Sequence, residues 1–412
     1  MKIAVLSEYF YPENSGGTPT DMSDLWRELK ATSPDLDVDV ITSRNLYRED
    51  GSKSALPRFE HWGGLNIKRL RLPKSNRPSM LLRLFFGGVF AFAALLELLR
   101  RRRYDLVFVV TNPPAAGGAA WLYKKLTGVR YLYLIHDLYP DMAVALGKLE
   151  ANSLAVRVLK AFQRSWLCGA SRVVVLGRCM KRKIVESYGL ESDAVAIISS
   201  WGAITVAGRE FEVNGFRRKM DFSGTVALYA GNFSEYSNIE LIIDAARLLR
   251  DHQDLLFVFV GDGSQRGAIE RAITKEGLHN VRLLPKVPRE MMGEVLAACE
   301  IGLISLDRRM VGLGVPSKLY TILAAGRAVL AIVPEESEVA CVIREEDCGI
   351  NVATSSSADV AKAILMLADS RERLRQLGMN ARHALEEKYM IENACDQFRT
   401  LFDECVYSRV GL

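Results

Sequence analysis

A glycine-rich stretch before a short helical pattern has groups suited to binding a phosphate. The sequence from Val311 to Ala331 reads VGLGVPSKLYTILAAGRAVLA, and its proline favours a helix that begins at Pro316. Such a helix would point free backbone N–H groups out of the loop, with Ser317 and Lys318 in its first turn. The stretch therefore predicts a diphosphate site, although any loop, helix and strand of an α/β domain has the same pattern.

A second glycine pair follows the first apolar run of the chain. Gly16 and Gly17 allow a ligand to approach the backbone, Thr18 is placed to cap a helix and Pro19 to begin it. Many first strand-to-helix loops carry glycine, so this pattern alone is weak. Together with the Lys318 stretch it predicts a phosphate-bearing ligand held from both sides. The Gly16–Gly17 loop differs from the G-x-G-x-x-G dinucleotide fingerprint, so the sequence does not favour binding of NAD.

Polar residues end the apolar run YLYLI. His136 and Asp137 follow it directly, with Asp141 and Gly147 a few positions later. Because α/β proteins bind their substrates at strand ends, we interpret the cluster as a substrate pocket with His136 as its principal residue. The alternative is a hydrogen-bonded histidine with a purely structural role.

Other glycines and carboxylates have weaker signals. Gly231 in LYAGN and Gly261 and Asp262 in VGDGS would border a ligand, or would simply form turns. The DLDVD string that begins at Asp35 offers metal-ligand oxygens, but no further ligand accompanies it. We therefore expect no metal site and interpret these aspartates as a solvated turn and strand start.

Short apolar runs alternate with helical patterns along the chain, which indicates parallel sheets with crossover helices. The first series of predicted strands is Ile3–Ser7, Val38–Thr42, Asn66–Leu72, Leu106–Val110, Tyr131–Ile135, Arg172–Leu176 and Val195–Ser199. The second series is Val226–Ala230, Leu255–Gly261, Val281–Leu284, Ile301–Ser305 and Val329–Val333. This order predicts an α/β protein of two doubly wound Rossmann-like domains facing across a cleft.

Domain boundaries follow from a polar segment without periodicity. We predict a first domain over residues 1–200, a linker over 201–223 and a second domain over 224–385. We expect residues 386–412 to form a C-terminal helix that packs back toward the first domain.

Composition excludes several classes of protein. The chain has 412 residues, of which 49% are apolar and 25% charged, so two globular domains are expected. A net charge of +5 does not suggest nucleic-acid binding. Seven scattered cysteines favour a reducing compartment and disfavour a disulfide framework or a zinc site. The start, MKIAVLSEYF, is typical of a first strand and not of a signal peptide.

The segment Met80–Arg103 combines apolar and basic character. It has 13 uncharged residues between Arg83 and Glu97, fewer than the roughly 20 needed to cross a bilayer, so we expect it not to span. Basic residues flank it on both sides, which predicts docking on an anionic membrane surface through Leu84 to Arg103. The alternative is a buried core helix with a solvated basic end.

Several motifs have a familiar order. The glycine loop after the first strand, HDLYPDMAVALGKL, LYAGNF, GDG, LLPKVPREMM and PSKLYTILAAGRAVLAIV resemble GT-B glycosyltransferases of the retaining family 4 type. The resemblance covers nearly the whole chain and is greatest for bacterial transferases that build exopolysaccharide or O-antigen, including fucosamine transferases. It implies a nucleotide-sugar donor bound mostly by the second domain and an acceptor bound by the first.

The resemblance also implies roles position by position. Gly16 and Gly17 would lie against the donor phosphates, and His136 would meet the donor sugar near the transferred carbon. The implied contacts of the second domain are Gly231 and Asn232 beside the diphosphate, Lys286 and Val287 beside the base, and Ser317, Lys318 and Leu319 capping the phosphates.

The chain departs from the family pattern at four positions. The family's two glutamates, eight positions apart, match Leu313 and Thr321. Its arginine and lysine after the first strand of the second domain match Asn232 and Ser237, which leaves Lys318 as the nearest cation.

We therefore expect glycosyl transfer from a nucleotide diphosphate sugar, with a UDP-sugar favoured, to a polyprenyl-diphosphate-linked saccharide at the cytoplasmic membrane face. Lys318 would stabilise the leaving diphosphate without an obligatory metal or cofactor, and His136 is the other catalytic candidate. Retention of configuration is implied by the resemblance. A nucleotide-sugar 2-epimerase and a non-catalytic GT-B subunit are the alternatives.

Overall fold

The computed structural model describes residues 1–13, 17–45, 56–73, 80–101, 104–202 and 214–407. The chain divides into two compact units. The first contains Met1–Ser199, Gly312–Gly314 and the described part of Ile391–Leu412, and the second contains Ser200–Val311 and Val315–Met390. Both units are Rossmann-like α/β domains, so the predicted fold class is confirmed.

The described residues of the first unit form an eight-stranded sheet in the order β3-β4-β2-β1-β5-β6-β7-β8. Its strands are β1 Lys2–Leu6, β2 Asp37–Ser43, β3 Phe59–Trp62, β4 Leu65–Leu70, β5 Leu106–Val110, β6 Arg130–Ile135, β7 Arg172–Val175 and β8 Val195–Ile197. Neighbouring strands are parallel, except that β3 is antiparallel to β4. Parallel strands covered on both faces have continuous apolar runs, such as LVFVV in β5.

Helices cover both faces of this sheet. They are α1 Thr18–Thr32, α2 Met80–Arg101, α3 Ala116–Thr127, α4 Asp141–Ala145, α5 Leu154–Gly169, α6 Arg178–Tyr188 and the C-terminal α15 Ile391–Tyr407. The crossovers through α2, α3, α5 and α6 run in one direction along the sheet and that through α1 runs in the other. Right-handed connections therefore place α1 on the opposite face, where α15 packs beside it.

The C-terminal helix completes the core of the first unit. Trp26 of α1 lies edge-on to Phe108 of β5 at 5.1 Å between ring centroids, and it stacks on Phe402 of α15 at 5.6 Å. All three side chains are fully buried. The apolar face of α15 is thus an integral part of this unit.

The described residues of the second unit form a six-stranded parallel sheet in the order β11-β10-β9-β12-β13-β14. Its strands are β9 Thr225–Asn232, β10 Leu255–Asp262, β11 Val281–Leu284, β12 Ile301–Ser305, β13 Ala328–Ile332 and β14 Gly349–Asn351. Its helices are α7 Gly215–Lys219, α8 Ile239–Leu248, α9 Arg266–Thr274, α10 Arg289–Ala297, α11 Lys318–Ala324, α12 Glu338–Glu346, α13 Ser357–Ala368 and α14 Arg371–Lys388. Buried aromatic and aliphatic side chains from β9, β10, α8 and α13 form its core.

Three sequence predictions are corrected by the fold. The antiparallel strand β3 and the short strand β14 were not predicted, because each has few apolar residues. The helix predicted to begin at Pro316 begins at Lys318. The predicted linker contains α7, whose Arg217 bonds to Glu300 at 2.6 Å, so residues 214–223 belong to the second unit.

Helix α2 differs from its prediction in length. The stretch Leu82–Arg101 has a mean hydropathy of 1.9 and is long and apolar enough to cross a membrane by those two criteria. The count of 13 uncharged residues missed this because Arg83 and Glu97 lie within the helix and do not end it. In this fold α2 packs by one face on α3, β2 and β4, and a third of that stretch is buried.

Candidate functional site

The turn after β6 brings two titratable side chains to the carboxyl edge of the first unit's sheet. His136 and Asp137 follow Ile135, and their backbone N–H groups donate to the hydroxyl of Thr111 at 3.0 and 3.3 Å. Thr111 is buried and directly follows the neighbouring strand β5. One hydroxyl therefore holds the turn in place. Sequence reasoning missed it because a lone threonine after a strand has no distinctive signal.

Burial shifts the pKa values of these two side chains in opposite directions. It lowers the pKa of His136 to about 4, so the imidazole is neutral near pH 7, and its buried Nε2 has no hydrogen-bond partner among the described residues. It raises the pKa of the Asp137 carboxyl to about 6, with no charged group contributing. Perturbed and unpartnered groups of this kind are typical of ligand sites. The contact of His136 with a donor sugar stays a prediction.

The glycines of VGLGVP have a packing role in the first unit. The carbonyl of Leu313 accepts a hydrogen bond from the N–H of Leu138 at 2.8 Å. Gly312 has a φ of 77°, and a Cβ at Gly314 would lie 3.1 Å from Oδ1 of Asp137. The structure therefore explains these glycines by the close approach of the backbone to the turn after β6, where the sequence suggested a phosphate loop.

Asp141 has structural partners, which corrects its place in the predicted substrate pocket. The carboxylate is buried, accepts a hydrogen bond from the Tyr188 hydroxyl and forms an ion pair with Lys160 at 2.7 Å. It joins α4 to α6 and α5. Gly147 lies in the turn after α4 with a φ of 67°, which glycine adopts without strain. Of the residues in the predicted cluster, His136 and Asp137 in the turn after β6 are the polar ones that form no ion pair among the described residues.

Of the first glycine pair, Gly16 lies outside the described residues. Gly17 is the N-cap of α1, with a φ of 73°, and its carbonyl accepts from the N–H groups of Thr20 and Asp21 at 3.0 and 3.1 Å. The cap is therefore Gly17 and not Thr18, where the helix already begins. A Cβ at Gly17 would meet nothing within 4 Å, so a ligand has room to approach there.

Three neighbouring strands of the second unit end in predicted donor-binding residues. Asn232 of β9 is in register with Asp262 of β10, and both are exposed. Lys286 and Val287 follow β11, the next strand of the sheet. The fold therefore brings these four residues to the carboxyl edge of one sheet, where α/β proteins bind ligands.

The two glycines at this edge have different roles. Gly231 has a φ of 121°, and a Cβ there would meet nothing within 4 Å. A Cβ at Gly261 would lie 1.9 Å from the carbonyl oxygen of Gly231. Gly261 is thus required for the approach of two strands, whereas Gly231 leaves the backbone open to a ligand.

Helix α11 adds a cation to the second unit. Lys318 is its first residue and its only charged one, and Nζ lies 3.5 Å from the centroid of the Tyr229 ring. Ser317 before it is exposed and makes no side-chain cap bond. Leu319 is buried, and its N–H donates to the carbonyl of Pro316 at 3.3 Å. Leu319 therefore has a core side chain and an N–H that bonds within the helix start, and its contact with a phosphate stays a prediction.

The aspartates of DLDVD differ in exposure. Asp35 and Asp37 are exposed at the turn and at the start of β2, as predicted, whereas Asp39 is buried, which corrects its interpretation as solvated. Asp39 is buried and accepts hydrogen bonds from Arg101 and Tyr104, each at 2.9 Å, while Asp37 pairs with Lys2 at 2.8 Å. These groups line a cavity of 510 Å³ at the amino edge of the first unit's sheet. In the part of the chain that the structure describes, no group of three or more His, Cys, Asp or Glu could hold a metal ion.

Two family models match successive parts of the chain. A Glycosyl transferase 4-like domain matches residues 16–201, and a Glycosyl transferases group 1 domain matches residues 216–384. The fold and these matches define the class of the protein, which is a GT-B glycosyltransferase. Along the chain, a 4-like first domain is thus followed by a group 1 second domain.

Relatives and solved structures extend the match over most of the chain. The probable glycosyltransferase WbjE of Pseudomonas aeruginosa is 28% identical over 77% of this chain and 80% of its own length. The putative colanic acid biosynthesis glycosyl transferase WcaI of Escherichia coli is 29% identical over 79% and 82%. The crystal structure of HepE from Anabaena with UDP-glucose has a TM-score of 0.72 at 13% identity and covers 98% of this chain and all of that one.

Proposed function

We propose that this glycosyltransferase transfers a sugar from a nucleotide diphosphate sugar, most simply a UDP-sugar, to a polyprenyl-diphosphate-linked saccharide in the synthesis of a cell-surface polysaccharide. A colanic acid biosynthesis relative supports the polysaccharide pathway, and HepE, solved with UDP-glucose, supports the donor class. Retention of anomeric configuration is the outcome that the family resemblance implies.

The observation that carries the donor assignment is the position of Lys318. Its amino group lies on the Tyr229 ring, and no described carboxylate forms an ion pair with it. It begins the crossover helix that follows β12, so it belongs to the carboxyl edge of the sheet. A leaving diphosphate gains negative charge as the glycosidic bond breaks, and a preorganised cation stabilises that charge.

The acceptor assignment depends on a surface of the first unit that we call the docking face. Helices α2, α3 and α5 lie side by side, and their outward apolar side chains are 40% to 73% exposed. The docking face consists of Leu82, Phe85, Phe92 and Leu96 on α2, Leu122 and Leu126 on α3, and Leu154, Val158 and Phe162 on α5. Exposed apolar surface of this extent is typical of a binding face.

The charges around the docking face favour an anionic membrane as its occupant. The three helices carry eight basic residues and one acidic residue, Glu97, which is buried and paired with Lys68. Arg100 and Arg157 are exposed, form no ion pair among the described residues, and are the basic part of the docking face. Apolar side chains flanked by basic ones bind anionic lipid surfaces, where a lipid-linked acceptor is held.

The docking face differs in two ways from the predicted segment Leu84 to Arg103. It includes Leu82 and extends to α3 and α5, all of which lie outside that segment in sequence. It also excludes Arg101, whose guanidinium is bonded to the buried Asp39. Arg102 and Arg103 lie outside the described residues.

We further propose that the protein acts at the cytoplasmic face of the membrane as a peripheral enzyme. All seven cysteines are free, and four of them lie in the buried interior of either unit with raised thiol pKa values. Free cysteines are typical of a reducing compartment.

The function is tested by supplying donors and acceptor together. The full chain is incubated with UDP-, GDP- and TDP-sugars and a short polyprenyl-diphosphate saccharide in anionic vesicles, and products are identified by mass. We expect one sugar to be added from one nucleotide class. Lys318→Ala should lower kcat/KM by about a hundredfold and weaken binding of the nucleoside diphosphate, with nucleoside binding unchanged.

Other results would contradict the proposal. Donor conversion to its 2-epimer without transfer would identify an epimerase, and donor binding without turnover on any acceptor would identify a non-catalytic subunit. Equal loss of nucleoside and nucleoside diphosphate binding in Lys318→Ala would remove the phosphate role of Lys318.

A further inference from the structure

The amino group of Lys318 rests on the face of a buried aromatic ring. Its Nζ lies 3.5 Å from the centroid of Tyr229, within the range of a cation–π interaction. Tyr229 is fully buried in β9 and packs against Phe233 and Phe259, at 6.0 and 6.2 Å between ring centroids. The ring therefore has a fixed position, and it fixes the end of a flexible side chain.

The elements around Lys318 give it no counter-ion. Helix α11 packs on β12, β13 and α14. After β12, Asp307 is paired with Arg309 at 2.8 Å. On α14, Arg382 donates to the carbonyl of Ala324 at the far end of α11 and pairs with Glu386, while β13 is wholly apolar.

The lack of a counter-ion affects the protonation of Lys318. Burial lowers its pKa to about 7, and no charged group among the described residues contributes to the shift. Tyr229, whose pKa burial raises to about 12, is neutral and supplies only its ring face. The amine is therefore partly unprotonated at neutral pH before any ligand binds.

We propose that Tyr229 is a positioning residue for Lys318 and that binding of a nucleoside diphosphate group draws a proton onto this amine. The inference rests on the donor class proposed above and concerns how the same site takes up its ligand. A diphosphate beside the amine favours the ammonium form and raises its pKa well above 7. Proton uptake supplies the full positive charge when the diphosphate is bound, while the ring holds Nζ in place beforehand.

The size of the proton uptake depends on pH in a defined way. With a pKa of about 7 in the free protein and a much higher one in the complex, binding takes up about 0.1 proton at pH 6, about 0.5 at pH 7 and about 0.9 at pH 8. Between pH 7 and pH 8 the association constant falls by about fivefold, and at higher pH the fall approaches about tenfold per pH unit, because the free amine must first gain its proton.

The test is calorimetry of nucleotide-sugar binding to the full chain. UDP-glucose is the first probe, since its diphosphate stays ionised from pH 6 to 8; ADP-glucose, GDP-mannose and TDP-glucose follow if it does not bind. Titrations in buffers of different ionisation enthalpy give the number of protons taken up. We expect the three values above for the wild type and for Tyr229→Phe, which keeps the ring.

The variants separate positioning from folding. Lys318→Met should bind the same probe at least tenfold more weakly, with no proton uptake and no pH dependence above pH 7. Tyr229→Leu should bind at least tenfold more weakly, with its uptake shifted to lower pH, because the ring no longer favours the ammonium. If Tyr229→Leu fails to fold, the wild type, Tyr229→Phe and Lys318→Met decide the proton linkage.

Two results have distinct meanings. Tight binding of a probe without proton uptake at pH 8 would overturn the inference and leave the proposed donor class standing. Failure of all four nucleotide sugars to bind would instead contradict the proposed function.

Discussion

At the residue scale, Asp137 is a carboxylate whose ionisation is disfavoured by burial. It lies beside Gly314, has a pKa of about 6 through burial, and has no described cation beside it. Asp141, four residues later, is paired with Lys160 and Tyr188. Two carboxylates four residues apart thus have opposite environments, which indicates a functional role for Asp137 and a structural role for Asp141.

We expect Asp137→Asn to make the protein more stable and less active. Since the folded pKa is above the ordinary value of 3.8, the ionised carboxylate costs stability above pH 6, and the cost disappears as the pH falls toward 4. At pH 8 the variant should gain about 1–3 kcal/mol in the free energy of unfolding, with no gain near pH 4. Denaturant unfolding at both pH values and the transfer assay measure the two effects.

Asp141→Asn is the matched control for that experiment. It removes a charge that is paired, so the free energy of unfolding should fall by about 1–3 kcal/mol at pH 8. A loss of stability at pH 8 in Asp137→Asn, similar to that in Asp141→Asn, would show that Asp137 is a structural residue.

At the element scale, helix α2 has one face buried in the first unit and another face exposed to solvent. Phe90, Ala94 and Leu98 of α2 are buried in the first unit, while Phe85 and Phe92 are more than 60% exposed. The same division separates its basic residues. Arg101 is bonded to the buried Asp39 on the inner side, whereas Arg100 is exposed.

We expect the docking face to bind anionic vesicles through both apolar and basic groups. Arg100→Gln with Arg157→Gln should weaken co-sedimentation by roughly thirtyfold, since each basic residue contributes about 1 kcal/mol at such a surface. Phe92→Ser with Leu96→Ser should weaken it by at least tenfold at any salt concentration, because apolar contact is not screened. The first variant should resemble the wild type in high salt.

Controls for this experiment come from the second unit and from the inner side of α2. Leu248→Ser and Arg375→Gln alter an exposed apolar and an exposed basic residue of the second unit and should leave co-sedimentation unchanged. Arg101→Gln should lower stability by about 1.5–3 kcal/mol, because it removes a charged bond to Asp39. Unchanged vesicle binding in both docking-face variants would contradict the membrane proposal.

At the scale of the whole molecule, the chain returns to its first unit after completing the second. The last helix, α15, places Phe398 and Phe402 against Trp26 and Phe108. The core of the first unit thus contains side chains of α1, β5 and α15, so its stability depends on the packing of α15.

We expect Phe402→Ala to destabilise the first unit selectively, by about 3–5 kcal/mol, because it leaves a cavity between α1, β5 and α15. Hydrogen exchange followed by mass spectrometry should show lost protection in peptides of β1, β5 and β6, and unchanged protection in β9 and β10. Ile364→Ala, in the buried core of the second unit, should give the reverse pattern. Equal loss of protection in both units from either variant would show that they unfold as one.

Much of the fold could be predicted from the sequence because its signals are local. All twelve predicted strands are present, three of them with the predicted bounds, since continuous apolar runs between turns identify buried parallel strands. Strands β3 and β14 were not predicted, because their sequences FEHW and GIN have too little apolar character. The helix at Lys318 was predicted two residues too early, because Pro316 favours a helix start but here lies in the preceding turn.

The candidate site was predictable in part. The sequence placed His136 and Lys318 at strand and helix ends, where chemistry is expected, and the family resemblance assigned them roles. It did not reveal which polar groups are already used. Asp39 and Asp141 looked unpaired in the sequence, yet each has partners that become visible only once distant elements meet.

By itself, the sequence determined the two Rossmann-like domains and the glycosyltransferase class, since these depend on local periodicity and on motifs. Tertiary structure alone decided that Thr111 holds the turn at His136, that Tyr229 holds Lys318, and that the apolar stripes of α2, α3 and α5 form one face. The physical reason is that these contacts join residues far apart in the chain. Their energies depend on burial and distance, which no local spacing encodes.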